Sequence, residues 1–335
     1  MERSGGDRRA ARTIESREEA MRALHVPAAG QAPVLGELPT PQAGDGQVLV
    51  QVKAASLNGI DNAIVAGLIA DLMPHEYPLV VGRDAAGIVA AVGAGVAHVE
   101  PGDAVIGHVL LAPPVQAGTI AEYAVLPAAA VTAKPPELDD VTAAAIPLAG
   151  TAALTAVDAI DPKPGQVVLV NGAGGGVGSY AVQLLAARGV TVVATGTAPD
   201  ADRLIRLGAA TVVDYTAGDV AARVRAAHPD GVDALIELAA FTVDSSPLAA
   251  VHRGGQVASA TGIPDEKSLE AAGLTGTHIV SAPVREVIAA LAEQVAAGTL
   301  TADVGTVLPL DAAVEGFGLL AGRRARGKIV ITVGD

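Results

Sequence analysis

One stretch, residues 165–194, constrains the fold of this 335-residue chain more than any other. It reads GQVVLVNGAGGGVGSYAVQLLAARGVTVVA: an apolar run, a glycine-rich turn, a helix-like segment and a second apolar run. Short apolar runs without polar side chains are typical of strands buried on both faces. The order strand, glycine turn, helix and strand predicts a dinucleotide-binding unit, because glycines let the backbone approach a diphosphate and the helix start offers free N–H groups.

The glycine turn also predicts where a dinucleotide is bound. Glycines at 172, 175 and 178 permit a tight reversal of the chain and close packing of the helix on the strand. We expect cofactor contacts along the turn and at the end of the next strand, at Gly172, Gly175, Gly176, Val177, Gly178, Thr195 and Gly196. Two later strands of the same open sheet should end at the same edge, which adds Ala239 and Thr261 beside the reactive end of the cofactor.

Composition narrows the class of protein. Half of the residues are hydrophobic but only 2% are aromatic, so the core must be built from Ala, Val, Leu and Ile. The net charge of −14 and the pI near 4.8 argue against nucleic acid or an anionic membrane surface as a partner. The chain has no cysteine, and no apolar run reaches the ~18–20 residues of a membrane span. We expect a cytoplasmic protein whose polar residues 1–20 form a disordered extension.

The rest of the chain predicts two structural halves. Residues 21–145 contain short alternating strands that Gly and Pro interrupt, as in a compact β-module. From residue 146 onward strand and helix patterns alternate, which predicts a doubly wound parallel sheet. The pattern places a helix at 245–251 and a strand at 278–280. An edge strand within 277–282 would pair two subunits.

Several ordered segments together carry a resemblance to a known family. They are 54–61 (AASLNGID), 78–87 (PLVVGRDAAG), 101–105 (PGDAV), 118–124 (GTIAEYA), the glycine turn and 327–330 (GKIV). The chain resembles the zinc-independent medium-chain dehydrogenase/reductase superfamily, and the quinone oxidoreductases in particular. The resemblance implies an α/β fold with a GroES-like, β-rich catalytic domain (21–145 and 283–335) and a doubly wound Rossmann domain (146–282). It also implies a cleft between the two domains and, commonly, a dimer.

The same resemblance predicts a site without metal. Catalytic zinc in this superfamily is bound by cysteine and by a Gly-His-Glu segment, whereas this chain has no cysteine and carries Gly82-Arg83-Asp84 at that place. None of the seven histidines forms a pair at the helical spacing that a ligand set uses. We expect five of the histidines at the surface or in loops, namely His75, His98, His108, His228 and His252.

The resemblance also suggests roles for individual side chains. Asn58 and Asp61 match an Asn-x-x-Asp segment that the resemblance places beside the nicotinamide, where Asn58 would hold the cofactor carboxamide or the substrate oxygen. In the alternative interpretation, both residues cap the helix-like segment 60–66. Thr151 matches a threonine near the nicotinamide, although it also suits a helix cap.

The cofactor preference depends on the strand end at 195–197, which carries no carboxylate to bind the ribose 2′-hydroxyl of NAD. Quinone oxidoreductases often prefer NADPH and can offer a lysine at the position of Asp200. Arg203 would substitute for that lysine, or would only pair with Asp200 on a solvated helix face. Tyr215 and Arg323 match family residues near the adenosine phosphate. We expect NADPH, with NADH as the open alternative.

Without a metal, the chemistry that remains is hydride transfer from a reduced nicotinamide. A quinone or an activated alkene accepts hydride because the developing negative charge spreads onto oxygen, where a hydrogen bond stabilises it. The predicted function is an NADPH-dependent reductase of a small apolar quinone or another α,β-unsaturated carbonyl. Two alternatives remain open. One is an enoyl-thioester reductase, although 67–69 lacks the tyrosine proton donor of several such relatives, and the other is a non-catalytic NADP-binding protein.

Overall fold

The computed structural model describes residues 20–334. The predicted disordered extension therefore lies outside the described residues, apart from Ala20, which begins the first strand. The strands are β1 Ala20–Val26, β2 Val34–Pro39, β3 Gln47–Leu57, β4 Leu79–Val80, β5 Asp84–Val92, β6 Ala104–His108, β7 Tyr123–Pro127, β8 Val131–Ala133, β9 Val167–Asn171, β10 Thr191–Gly196, β11 Thr211–Asp214, β12 Val232–Glu237, β13 Val251–Ser259, β14 Thr275–His278, β15 Val304–Pro309 and β16 Lys328–Thr332. The helices are α1 Gly59–Val65, α2 Asp140–Ala144, α3 Pro147–Ile160, α4 Gly176–Ala187, α5 Ala201–Arg206, α6 Val220–Ala227, α7 Glu266–Ala272, α8 Arg285–Ala296 and α9 Ala313–Ala321.

The glycine turn follows the central strand of a six-stranded parallel sheet. Its order is β11-β10-β9-β12-β13-β14, which is the Rossmann order 3-2-1-4-5-6 when β9 is counted as the first strand. Val168 and Val170 of β9 belong to one hydrophobic cluster and Leu169 to another, so both faces of the sheet are packed. The predicted doubly wound sheet is confirmed.

The other half of the molecule is built from two distant parts of the chain. One sheet has the order β15-β16-β3-β5-β6-β8, with β7 also paired to β3, and a three-stranded sheet has the order β2-β1-β4. β16 follows the whole Rossmann sheet in the chain, yet it pairs antiparallel with β3. This is the GroES-like arrangement that the resemblance implies, while the boundaries at 145/146 and 282/283 stay predictions.

Two helices, α3 and α4, pack against each other, and the glycine turn leads from β9 into α4. Pro147 lies in the first turn of α3, where its missing N–H leaves no hydrogen bond unmade. Ala149, Ala153 and Ala156 of α3 are fully or almost fully buried in the cluster that contains Tyr180 of α4. Small side chains let the two helices approach closely. None of the helices between residues 20 and 334 has the length and apolar character to cross a bilayer.

Two sequence-based element assignments are wrong. No α-helix forms over 245–251, because Pro247 cannot donate to a helical ladder, and only short 3₁₀ turns flank it before β13 begins. The last strand of the parallel sheet is Thr275–His278 rather than 278–280. Its signal is weak in the sequence because Gly276 lies against the backbone of β13, where a Cβ would stand 2.7 Å from the Val257 carbonyl oxygen.

Candidate active-site cleft

The glycine turn between β9 and α4 requires glycine at two positions. Gly172 has a positive φ of 90°, a backbone conformation that residues with a side chain rarely adopt. A Cβ on Gly178 would lie 2.3 Å from the Gly172 carbonyl oxygen, so only glycine allows α4 to pack this closely. Thr195 stabilises the turn from β10, since its hydroxyl accepts the Gly172 N–H at 2.8 Å. Thr195 is buried, and Gly196 packs against Leu204, so both support the turn from behind.

The N-terminus of α4 fits a diphosphate. Gly175 is the N-cap residue, and no side chain caps this helix end. A Cβ at Gly175 would meet only the Gly172 carbonyl, at 3.6 Å, so the space in front of Gly175 is open. The uncapped N–H groups of residues 176–178 and the positive end of the helix dipole favour an anion there. The residues present therefore fit the dinucleotide that the motif predicts.

The segment that leads into β16 joins the turn to the GroES-like half. The Gly327 N–H donates to the Gly174 carbonyl at 2.9 Å, and Gly175 and Gly327 form a parallel β-bridge. The Lys328 side chain lies against Gly176, where a Cβ would stand 2.5 Å from the lysine Cδ. Glycine at 176 thus makes room for this lysine. The cofactor turn and the other half of the molecule touch at this point.

A buried cluster of polar side chains surrounds Asp84 on β5, next to this contact. Asp84 has no exposed surface and accepts hydrogen bonds from four groups. These are the Ser56 hydroxyl at 3.0 Å, Asn58 Nδ2 at 2.9 Å, His108 Nδ1 at 2.7 Å and the Leu148 N–H at 3.1 Å. Leu148 lies in the first turn of α3, so the carboxylate also stands at the positive end of a helix.

Lys328 completes the cluster. Its ammonium group donates to Asn58 Oδ1 at 2.6 Å and to the Leu57 carbonyl at 2.9 Å, and it lies 3.7 Å from Asp84 Oδ2. Asn58 is thereby held at both ends of its amide. Its second Nδ2 hydrogen faces only the Ser56 carbonyl, at 3.5 Å, which is too long for a strong bond.

Asp61 lies beside this cluster on α1. It accepts the N–H of Asn58 at 2.8 Å and the N–H of Gly82 at 3.2 Å, and its nearest cation is Arg83, at 3.9 Å. Asn58 is the N-cap residue of α1, and Asp61 caps this helix by accepting the Asn58 N–H, whereas the Asn58 side chain is bonded to Asp84 and Lys328. The catalytic roles of both residues stay predictions. Arg83 is buried and its Nε and Nη2 have no hydrogen-bond partner in the described chain.

Burial and charge act in opposite directions on these groups. Burial tends to raise the pKa of Asp84, but the hydrogen bond from His108 and the charge of Lys328 outweigh it, so the pKa lies below its usual range. Burial raises the pKa of Asp61 despite the opposing charge of Arg83. Burial also lowers the pKa of the Lys328 ammonium, although Asp84 and Asp61 act against this. Asp84 is thus the most firmly ionised carboxylate of the cluster.

A second buried carboxylate, Glu237, ends β12 in the Rossmann sheet. It accepts hydrogen bonds from Asn171 Nδ2, from the N–H groups of Ala239 and Ala240 and from the Ser246 hydroxyl. Asn171 in turn accepts from the Thr195 hydroxyl at 3.0 Å, which links Glu237 to the glycine turn. Ala239, a predicted cofactor contact, lies at the strand end that Glu237 shapes.

Arg203 is engaged in contacts within the protein. Its guanidinium donates to the Gly174 carbonyl and to Asp200, each at 3.0 Å, and it also pairs with Asp303. Asp200 accepts the N–H and the hydroxyl of Thr197 as well. Burial acts against the Asp200 charge, but the hydrogen bonds from Thr197 and Arg203 keep its pKa below the usual range. The predicted pairing with Asp200 is present, although the Arg203 side chain is only 20% exposed and lies on no solvated face.

Three other predicted contacts lie beyond the ends of β11, β13 and α9. Tyr215 follows β11 and is 54% exposed. Thr261 lies beyond the end of β13, where its hydroxyl donates to the Ile263 carbonyl at 3.3 Å. Arg323 has a positive φ of 54° and stacks over Phe241, with its guanidinium carbon 4.1 Å from the ring centre. This stacking joins the loop after α9 to the loop after β12.

Thr151 lies inside α3 rather than at its cap, which is Ile146. It is buried, and its hydroxyl has no hydrogen-bond partner in the described part of the chain. An unpartnered hydroxyl is unusual in a core. Thr151 is one turn beyond Leu148, whose N–H binds Asp84, so it lies close to the cluster in the fold.

Sequence reasoning missed four members of the cluster, Ser56, Asp84, His108 and Lys328. His108 was expected at the surface or in a loop, and this is wrong: it ends β6, is only 3% exposed and donates to Asp84. One signal was present for Lys328, because a charged residue opens the apolar strand KIVIT. A buried lysine requires a carboxylate or carbonyl partner, but the sequence did not show which one.

Two family models match the chain. Residues 44–136 match the alcohol dehydrogenase GroES-like domain, and residues 207–331 match the zinc-binding dehydrogenase model. Quinone-oxidoreductase QR1, chloroplastic, of Triphysaria versicolor is 33% identical over 192 residues, which are 56% of this chain and 57% of that protein. The chain therefore spans a little over half the length of this curated relative.

Solved structures cover almost the whole chain. One, a crystal structure of an NAD-dependent alcohol dehydrogenase, is 33% identical with a TM-score of 0.82, covering 94% of this chain and 100% of that chain. This chain belongs to the medium-chain dehydrogenase/reductase superfamily. Within the superfamily it is quinone oxidoreductase-like, as its sequence predicts. Mycobacterial Rv1454c, solved with NADPH, is 29% identical with a TM-score of 0.81, covering 93% of this chain and 99% of that chain.

The second family model is that of zinc-binding dehydrogenases, and a zinc ion requires a suitable set of ligands among the described residues. Among residues 20–334, no group of three or more His, Asp or Glu side chains is arranged to hold a metal ion. The cluster at Asp84 contains an ammonium group and lies beside a guanidinium, and the chain has no thiolate to offer. Such a donor set does not fit Zn²⁺. The metal-free site stays a prediction.

Proposed function

We propose that this chain is a nicotinamide-dependent reductase that transfers hydride to a quinone or another α,β-unsaturated carbonyl. The observation that supports this most strongly is the open, uncapped start of α4 at Gly175, next to the point where Lys328 reaches Asn58. One cleft then offers a diphosphate site and a polar cluster on the other half of the molecule. The names of the relatives are consistent with this chemistry.

The backbone of residues 175–178 would hold the diphosphate, with Ala239 and Thr151 beside the nicotinamide. When bound, the nicotinamide supplies the hydride. The chain itself binds, orients and excludes water. Asn58 is the best placed group to orient a carboxamide or a substrate oxygen, because Lys328 and Asp84 fix its amide while one Nδ2 hydrogen is only weakly held. An amide fixed in advance loses little entropy when substrate binds.

We propose NADPH as the preferred cofactor and NADH as the weaker one. The end of β10 carries no carboxylate before Asp200, and Asp200 is already engaged by Thr197 and Arg203. Arg326, 57% exposed and 3.6 Å from Asp200, is the nearest cation with free surface. Arg203 is a poorer candidate for a 2′-phosphate, since two carboxylates already bind it.

A second copy of this chain is the proposed partner. β14 is the last strand of the parallel sheet, and all four of its residues are exposed. An exposed edge strand pairs readily with another strand, and a twofold axis would make one continuous sheet. Light scattering measures the mass in solution. A cytoplasmic location remains a prediction.

The test is oxidation of NADPH and of NADH, followed at the nicotinamide absorbance, with a benzoquinone, an enone and an enoyl thioester as acceptors. We expect quinone- or enone-dependent oxidation, faster with NADPH. In Gly175→Val, the new side chain fills the space in front of α4, so NADPH binding should weaken by about 100-fold, or about 2.7 kcal/mol. The fold should persist, because this glycine has no positive φ and no close neighbour.

Gly318→Val is the matched control. Gly318 lies in α9, also without a positive φ and with no heavy atom near its Cβ position. This variant should bind NADPH as the wild type does. Equal affinity in Gly175→Val and Gly318→Val would contradict the diphosphate site. Tight NADPH binding without oxidation by any acceptor would point instead to a non-catalytic binder, and oxidation by the thioester alone to an enoyl reductase.

A further inference from the structure

The reduction of a carbonyl or quinone needs a proton as well as a hydride, and the proposed function leaves the proton donor unassigned. Among the described side chains of the cleft, Lys328 uses its ammonium on Leu57 and Asn58. Asp61 accepts two backbone N–H groups and serves α1. Asp84 is ionised and only accepts hydrogen bonds, and the Arg83 guanidinium does not give up a proton in proteins. The titratable side chain of the cluster that remains as a proton donor is His108.

The geometry points to His108 as the general acid of the reaction, with Asp84 as the residue that positions it. His108 Nδ1 lies 2.7 Å from Asp84 Oδ1. An ionised carboxylate only accepts, so Nδ1 carries the proton in this bond and the imidazole is fixed in one orientation. A carboxylate that fixes an imidazole through one nitrogen leaves the other nitrogen to exchange protons.

Nε2 of His108 is free to exchange protons. No hydrogen bond to this nitrogen is present within residues 20–334. His108 is 3% exposed, and Nε2 is not among the sealed, unpartnered side-chain atoms of the described chain, so it keeps contact with solvent. A histidine held only for stability would have both nitrogens bonded or packed away.

The position of His108 in the fold places it at the junction of the two halves. The same Asp84 oxygen that accepts from His108 also accepts the Leu148 N–H of α3. The other Asp84 oxygen accepts from Asn58, which Lys328 ties to the edge of the glycine turn. Two hydrogen bonds through one carboxylate thus separate the imidazole from Asn58.

The charges around His108 suit a proton donor. Asp84 on β5 faces it, with Lys328 on β16 behind Asp84, while α3 brings the backbone N–H of Leu148 to the same carboxylate oxygen. Asp84 and Lys328 balance each other. Protonated His108 adds one positive charge beside the Asp84 carboxylate, and the imidazole returns to neutral after it gives up the proton.

The reduction transfers one hydride and one proton to the acceptor. A bound reduced nicotinamide would supply the hydride to the quinone or to the β-carbon of the enone, and the displaced π-electron pair would move to the carbonyl oxygen. The Nε2–H bond of His108 breaks and an O–H bond forms on that oxygen, which leaves neutral imidazole. A proton from solvent then returns to Nε2. The acceptor has gained one hydride and one proton, and no other reagent is consumed.

The test compares His108→Gln with His228→Gln, using the full chain and the quinone and enone assays above. His228 ends α6 on the far side of the Rossmann sheet. His108→Gln should lower kcat by about 100-fold, within the range for loss of a general acid, and leave the NADPH KM within about twofold. His228→Gln should leave both kcat and the NADPH KM unchanged.

A second measurement needs neither a variant nor turnover. Diethyl pyrocarbonate should modify His108 at Nε2 in the wild-type protein, and NADP⁺ should slow this, as peptide mass spectrometry would show. His228 should be modified equally with and without NADP⁺.

The proposal rests on the proposed function, and its failure is distinguishable from that of the function. Oxidation of NADPH that is unchanged in His108→Gln would overturn the role of His108 and leave the function standing. Modification of His108 that NADP⁺ does not slow would overturn its place in the cleft. A wild-type protein that reduces no acceptor would overturn both.

Discussion

Two carboxylates, Asp84 in the GroES-like half and Glu237 in the Rossmann half, have no exposed surface, yet their surroundings differ. Glu237 accepts hydrogen bonds from neutral groups that all lie in the Rossmann half. Asp84 accepts from an imidazole and lies 3.7 Å from the Lys328 ammonium. It also accepts from α3, which belongs to the other half of the chain.

Equal burial therefore does not mean that two carboxylates have the same role. A carboxylate surrounded by neutral donors shapes the backbone, as Glu237 does at the end of β12. A carboxylate with titratable partners couples its charge to proton uptake by those partners. Asp84 also depends on groups from distant parts of the chain, so its surroundings exist only when both halves are assembled.

Amide substitutions at the two carboxylates should have the largest and most unequal effects. Asp84→Asn removes the charge that balances buried Lys328, which should lower the free energy of unfolding by about 3–5 kcal/mol. Glu237→Gln leaves no buried charge unpaired, and its new amide can donate to Ser246. We therefore expect the free energy of unfolding to fall by only about 1 kcal/mol. Urea unfolding of both variants measures this.

Equal losses of stability in the two variants would contradict the distinction. Circular dichroism of each variant before unfolding serves as the control, because both must begin from the native fold for the comparison to hold.

The coupling energy of Lys328 should be smaller than these losses of stability, and it should involve Asp84 but not Glu237. Lys328→Met should destabilise the wild type more than it destabilises Asp84→Asn, with a coupling energy of about 1–3 kcal/mol, since both groups share one interaction. In the Glu237→Gln background the effect of Lys328→Met should be additive within about 0.5 kcal/mol. A double-mutant cycle by urea unfolding gives both values. Coupling of similar size to Glu237 would mean that Lys328 acts on the whole core and not on Asp84.

Removal of one hydroxyl from each carboxylate should have the smallest effect. Ser56 and Ser246 donate to Asp84 and Glu237 at 3.0 and 2.7 Å. Ser56→Ala should cost about 2 kcal/mol and Ser246→Ala about 1 kcal/mol, because Ser56 is fully buried and water cannot replace its bond. Thermal unfolding measures both. A larger loss in Ser246→Ala would show that the Glu237 surroundings are the more rigid of the two.

The sequence was most informative where the determinants are local. The glycine turn, the strand before it and the helix after it lie within 165–194, and the structure confirms the βαβ unit they predict. The helix expected at 245–251 failed because apolar spacing alone does not show that Pro247 interrupts the ladder.

The candidate site was less predictable because its contacts span long distances in the chain. Asn58 and Lys328 are 270 residues apart, and His108 and Asp84 lie on neighbouring strands. A sequence pattern shows that Lys328 lies in an apolar strand, but the partner of a buried charge depends on which strands pair. The resemblance led to Asn58 and Asp61, whereas the groups that hold Asn58 required the three-dimensional structure.

The pairing of β16 with β3 has a consequence for how the protein is made on the ribosome. The Rossmann sheet is continuous in the chain, so it can be completed before β16 is synthesised. Until then the end of β3 lacks a neighbour and Asp84 lacks the charge of Lys328. A nascent chain that ends before residue 328 therefore has its nucleotide-binding sheet and no assembled cleft.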